Sequence, residues 1–172
     1  MSELTSQVEI TDLIKKISDG ICGEGLEFLN ATKSNLKILL LKIPYDVDKE
    51  ASIRWTRTAH QILEDRYVFE GKSCTDVSLA FIVLCLARDM QSNFVKVIWE
   101  GKGLLGIHCL VEVDIDGHRY IADPDGNGAI VRGRVESVST SYYPGYSLRV
   151  WGRGKDSWAL GLKGIEDESI IE

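Results

Sequence analysis

His108 to Asp123 reads HCLVEVDIDGHRYIAD, and the fold turns on how this stretch pairs with itself. β-branched residues run up to Ile115, resume after His118, and leave Asp116-Gly117 between them. An Asp-Gly pair between two strand-like runs favours a two-residue type I′ hairpin turn, because both turn residues need positive φ. Closing the hairpin there puts Ile115 opposite His118, Asp114 opposite Arg119, Glu112 opposite Ile121 and Leu110 opposite Asp123. Side chains alternate between the faces of a strand, so His108 shares a face with Leu110 and has Asp123 as its diagonal neighbour. A diagonal separation of about 7–8 Å lets a carboxylate reach an imidazole. The stretch therefore offers a base together with an acid to orient it.

Upstream, GKSCTD at 71–76 feeds an apolar segment that extends to Asp89. Val77, Leu79, Ala80, Phe81, Ile82, Val83, Leu84, Leu86 and Ala87 leave it almost no polar side, which suits a helix buried at the centre of a domain. Cys74 opens that helix, with Ser73 as its expected cap and Lys72 as a nearby positive charge. A thiol there sits by unpaired backbone N–H groups and the positive end of the helix dipole, which favour the thiolate. Cys74 as nucleophile, His108 as proton carrier and Asp123 as its orienter make a set suited to acyl transfer, with helix-start amides stabilising the oxyanion.

The remaining segments supply the frame. Ile10, Leu13, Ile14, Ile17 and Ile21 are spaced as one face of a helix stopped by Gly20; a second helix is expected within residues 24–43, ended by Pro44. A third stripe runs through Val47, Ala51, Trp55, Ala59, Ile62 and Leu63, predicting helix over 46–66. Beyond Met90, Phe94 to Trp99, His108 to Ile115 and Arg119 to Ala122 read as strands; residues 126–150 suggest further hairpins, and 151–163 an edge strand. Residues 164–172 are acidic and expected to be loose. The predicted class is α+β in a single domain over 1–172: a helical first half, then an antiparallel sheet packed against the central Cys74 helix.

Several functions are disfavoured. A net charge of −6 without a basic cluster gives no electrostatic reason to bind nucleic acid or an anionic membrane. Residues 1–20 lack the form of a secretory signal and no run approaches the ~20 apolar residues of a span, so a cytoplasmic protein is expected. The cysteines at 22, 74, 85 and 109 lack stapled or zinc-ligand spacing, so free thiols and no metal are expected. Cys22, Cys85 and Cys109 read as packing, His60 and His118 as surface or satisfied residues, and Trp55, Gln61 and Tyr67 as core rather than oxyanion donors. Asp125 is the alternative orienting acid, set opposite His108 by the same register. The run DPDGNG at 123–128 imitates the start of an EF-hand loop, but Arg134 stands where the bidentate carboxylate belongs.

Taken together, GKSCTD at 71–76, HCLVEV at 108–113 and YIADP at 120–124 resemble the three core motifs of the transglutaminase-like superfamily, in the order Cys, His, Asp. The resemblance covers about residues 55–126. It implies a papain-like core, a catalytic triad of Cys74, His108 and Asp123, no cofactor, and a protein or peptide substrate whose amide is hydrolysed or transferred. The family commonly has Trp after Ala near the histidine, where this chain has Cys109 and Leu110. Superfamily members include cross-linking transglutaminases, cysteine peptidases, amidases and proteins that keep the fold without catalysis, so cross-linking and a scaffold role stand as the alternatives.

Overall fold

The computed structural model describes residues 6–137 and 143–171. Asp116 and Gly117 take φ of 51° and 76°, the double positive pair of the expected turn. Around it, β4 (Leu104–Ile115) and β5 (His118–Ala122) pair in the expected register: Ile115 with His118, Asp114 with Arg119, Glu112 with Ile121. Arg119 holds Asp114 through two hydrogen bonds of 2.8 and 2.7 Å, so the opposite charges meet across the ladder. The ladder stops at Ala122, one residue short of Asp123.

This hairpin lies inside a five-stranded antiparallel sheet of order β6-β5-β4-β3-β7, with β3 at Ser92–Gly101, β6 at Val131–Arg132 and β7 at Ser147–Gly154. The edge strand is therefore 147–154 rather than the expected 151–163, where a 3-10 helix at Trp158–Leu160 follows instead. Glu112 is fully buried under the sheet yet satisfied: Arg119, Arg153 and the Val135 amide all donate to it, tying β4 to β5 and β7.

α5 (Cys74–Leu86) is the core element, with Val77 to Cys85 buried on every side, as its unbroken apolar run requires. Phe94, Cys109, Val111 and Val113 of the sheet meet it from one direction. Ile14 of α1 (Asp12–Asp19), Phe28 and Leu36 of α2 (Gly25–Leu39), and Ile62 of α4 (Ala59–Asp65) complete its surroundings. Val95, Val97, Leu110, Ile121 and Val135 form a smaller cluster on the opposite face of the sheet.

The single helix expected over 46–66 is two. α3 (Val47–Ile53) ends at Arg54, Trp55 takes the left-handed φ of 59°, and α4 begins after Thr58. The apolar spacing persists through the break, which is why periodicity alone misses it. Thr58 and Gln61 form a reciprocal capping box, a sequence signal for a new helix start. Positive φ is costly for a bulky residue. Here it persists because the Trp55 carbonyl accepts from Gln7 Nε2 and Trp158 Nε1 while its ring is buried.

A short parallel pair, β1 (Leu41–Ile43) with β2 (Tyr67–Phe69), also lies within segments read as helix or loop. Residues 164–171, expected to be loose, hold a 3-10 helix at Ile165–Ile170 whose Glu168 pairs with Arg54 at 2.5 Å; a guanidinium at the break in the helices gives the acidic segment a partner. Among the described residues no helix is long and apolar enough to cross a membrane.

Candidate active site

Cys74 is the first residue of α5 and is partly exposed. Ser73 does not cap the helix with its side chain: its φ and ψ of −85° and −16° are helical, and its hydroxyl donates to Asp125 at 2.7 Å. The first-turn amides beside the thiol are therefore not taken by the Ser73 hydroxyl, as an oxyanion site needs.

His108 Nε2 lies 2.9 Å from Asp123 Oδ2. Asp123 is fixed in turn by the Gly126 amide at 2.9 Å and by the Tyr143 hydroxyl, both of which donate to it, while the Tyr143 ring meets the His108 imidazole edge-on. Asp125 is turned elsewhere, to Lys42 at 2.8 Å and to Ser73, so it does not orient His108. With Nε2 given to Asp123, Nδ1 is the ring nitrogen left to meet the Cys74 sulfur. Despite burial, hydrogen bonds to Asp123 and Cys74 push the His108 pKa up to about 10.

Two features were not read from the sequence. Cys109, expected as packing alone, is fully buried but hydrogen-bonded to its surroundings: Lys96 Nζ donates to its sulfur at 3.3 Å, and Thr75 Oγ1 lies at the same distance. Lys96 is the second. It is buried, faces Cys109 across the β3–β4 ladder, and sets its ammonium over the Trp55 ring at 5.2 Å. An alternating strand carries no signal that one of its inward residues is a lysine with a partner; the pairing with Cys109 emerges only from the register.

The Cys74 pKa falls well below that of an ordinary thiol, first through a hydrogen bond from Cys109, then through one from His108 and the charge of Lys96. Cys109 moves the opposite way, raised by burial, by its hydrogen bond to Cys74 and by the Cys74 charge beside it. Burial works against the charge on Lys96, but the neighbouring sulfurs raise its pKa. The positive charge near the thiol is thus Lys96 rather than Lys72, which stands at the cleft rim.

Cys74 opens into a cleft of about 90 Å³ whose lining includes Trp55, Lys96, Arg54 and Glu168. His108 and Asp123 border a second, aromatic pocket with Trp99, Tyr143, Tyr146 and Leu148. Trp55 Nε1 donates to Thr75 Oγ1 at 3.3 Å, Gln61 is occupied in its capping box, and Tyr67 packs under the Arg57 guanidinium. Cys22 is exposed and Cys85 buried, so packing describes only the latter. His60 meets Thr11 Oγ1 at 2.9 Å, and His118 is exposed beside Arg132. Among the described residues no group of three or more His, Cys, Asp or Glu side chains is placed to hold a metal ion.

No protein-family model matches the sequence, and no curated protein does. Among solved structures, the chain is similar to a candidate cysteine protease from Cytophaga hutchinsonii, with a TM-score of 0.54 at 14% sequence identity over 86% of this chain. The match spans 52% of that longer protein. The fold is therefore α+β and cysteine-protease-like, with the thiol-bearing helix against the sheet.

Proposed function

We propose that the chain is a thiol enzyme that cleaves or transfers an amide through Cys74, His108 and Asp123. The observation that carries the reading is the 2.9 Å bond between His108 Nε2 and Asp123 Oδ2, made beside a partly exposed cysteine at a helix start. In the first step the Cys74 thiolate attacks the substrate carbonyl carbon, and the C=O pair moves to oxygen, which the first amides of α5 stabilise. As the C–N bond breaks, His108 passes its Nδ1 proton to the departing amine, leaving a thioester on Cys74. Water, or an amine, then attacks the thioester and gives its proton to His108, and the sulfur leaves as thiolate. Asp123 remains ionised throughout and holds the imidazole ring. Hydrolysis is the preferred outcome and cross-linking the alternative. No cofactor enters any step.

Incubation with peptide pools, read by mass spectrometry, tests this. Cleaved products together with an acyl adduct on Cys74, both lost in Cys74→Ala, are expected. A primary amine added in excess separates the outcomes: incorporation into the product marks transfer, free acid marks hydrolysis. Absence of any Cys74-dependent product or adduct across the pools contradicts the proposal and leaves the scaffold reading in its place.

A further inference from the structure

The cleft beside Cys74 contains a carboxylate supplied by the chain itself. Arg54 is held from the inside by Glu50, whose two oxygens accept from Nε at 2.7 Å and Nη2 at 2.5 Å; both side chains are largely buried. This leaves the guanidinium fixed, with Nη1 directed to Glu168, whose Oε2 accepts at 2.5 Å. Glu168 itself is 44% exposed and belongs to the 3-10 helix at Ile165–Ile170. Arg54, Glu168 and Cys74 line the same cleft.

The charges there balance only while Glu168 is in place. Arg54 neutralises Glu50, and Asp76, another lining residue, pairs with Arg57 at 2.5 Å. Lys96 faces the sulfurs, and Lys72 lies at the rim. Moving Glu168 aside therefore exposes an oriented N–H edge in positive surroundings, a geometry suited to a carboxylate. The Glu168 end of the pair is open to solvent while the guanidinium is held in place, so a diffusible carboxylate can compete for the Nη1 edge.

We infer that the Nη1 edge of Arg54 is a carboxylate-binding subsite for the acyl-donor substrate, occupied at rest by Glu168. The inference rests on Cys74 being the nucleophile and adds the substrate class: an amide whose acyl portion carries an acidic group. Glu168 competes with that group, so the segment 165–170 restrains the cleft until an acidic substrate displaces it.

The test is protection of Cys74 from iodoacetamide by N-acetylglutamate, with N-acetylglutamine as the neutral control and sodium chloride matching ionic strength. Alkylation is followed by mass spectrometry in the full chain. N-acetylglutamate is expected to slow modification saturably, the neutral analogue and chloride not. In Glu168→Gln the half-protecting concentration should fall about threefold to fivefold, as loss of one weak ion pair implies. In the paired variant Glu50→Gln/Arg54→Gln, which leaves no buried charge unpartnered, protection should disappear. Arg54→Lys, which keeps the charge and loses the fork, provides a second reading if the paired variant does not fold, and should weaken protection. Equal protection by the two analogues, or a Glu168→Gln curve that overlays the parent's, overturns the inference. Alkylation without ligand reads the thiol separately: a sluggish Cys74 that is still protected by carboxylate would contradict the catalytic proposal and leave the subsite standing.

Discussion

Two groups of residues converge on Cys74 by different routes. His108 and Asp123 arrive on a hairpin whose register follows from a two-residue turn and strand alternation. Lys96, Trp55 and the Arg54–Glu168 pair come from segments far apart in sequence, set by a break between α3 and α4 and a 3-10 helix folded back on it. In the proposed mechanism the first group manages the proton; the second supplies charge and shapes the cleft. The contrast separates what a carboxylate and an imidazole do through direct bonds from what buried charge does at longer range.

Substitutions in the first group should have the largest effects. His108→Ala is expected to lower turnover by about 10²–10⁴, the range of a lost general acid and base. Asp123→Asn should lower it by about 10² or more, because the ring loses the partner that sets its tautomer. An unaltered rate in either variant, measured on a peptide substrate found as above, removes the hairpin from the mechanism.

Lys96→Met tests the second group. Removing a buried positive charge near the sulfurs should raise the Cys74 pKa and slow its alkylation at neutral pH by about tenfold, an effect smaller than loss of His108. The shape of the side chain is nearly kept, so folding should survive. If alkylation is unchanged, the ion at Lys96 has no part in holding the thiolate. Cys109→Ala removes the hydrogen bond that does most to lower the Cys74 pKa, so alkylation should slow at least as much as in Lys96→Met.

The smallest effect lies in stability against pH. The folded His108 pKa of about 10 exceeds its ordinary 6.5, so its contribution is fully present below 6.5 and is lost as pH rises toward 10. Asp123 is lowered from 3.8 by the His108 hydrogen bond, against its burial; its contribution is present above 3.8 and lost on acidification. The stability lost in Asp123→Asn, about 1–3 kcal/mol for a hydrogen bond to a charged group, should therefore be greatest between roughly pH 4 and 6.5 and shrink on both sides. Denaturant titrations across that range check the curve; a flat difference would mean that the pair is not ionised as described.

The difference between the two groups is also the difference in what could be read from the residues alone. Asp116-Gly117 forces a register, and from the register the positions of His108 and Asp123 follow by counting. The helix from Cys74 is legible because thirteen residues in sequence lack a polar side. Trp55 interrupts an apolar stripe that continues on both sides of it, so the break is invisible to periodicity, and only the Thr58 to Gln61 cap hints at it. Ser73 looked like a cap by residue type, but Asp125 takes its hydroxyl, a partner 52 positions away. Glu168 looked like part of a solvated acidic run because the guanidinium that receives it lies 114 positions earlier. Local rules reach the residues proposed to act on the proton; the residues that line the cleft depend on tertiary pairing.

The most direct measurement is the rate of Cys74 alkylation by iodoacetamide as a function of pH, in the parent chain and in His108→Ala. The account predicts reactivity well below the pH at which an ordinary thiol, with a pKa of about 8.5, becomes nucleophilic, and a shift of that profile toward the ordinary value in the variant. Profiles that coincide, both rising only near the ordinary thiol pKa, would contradict the pairing of Cys74 with His108 and the proposed chemistry with it.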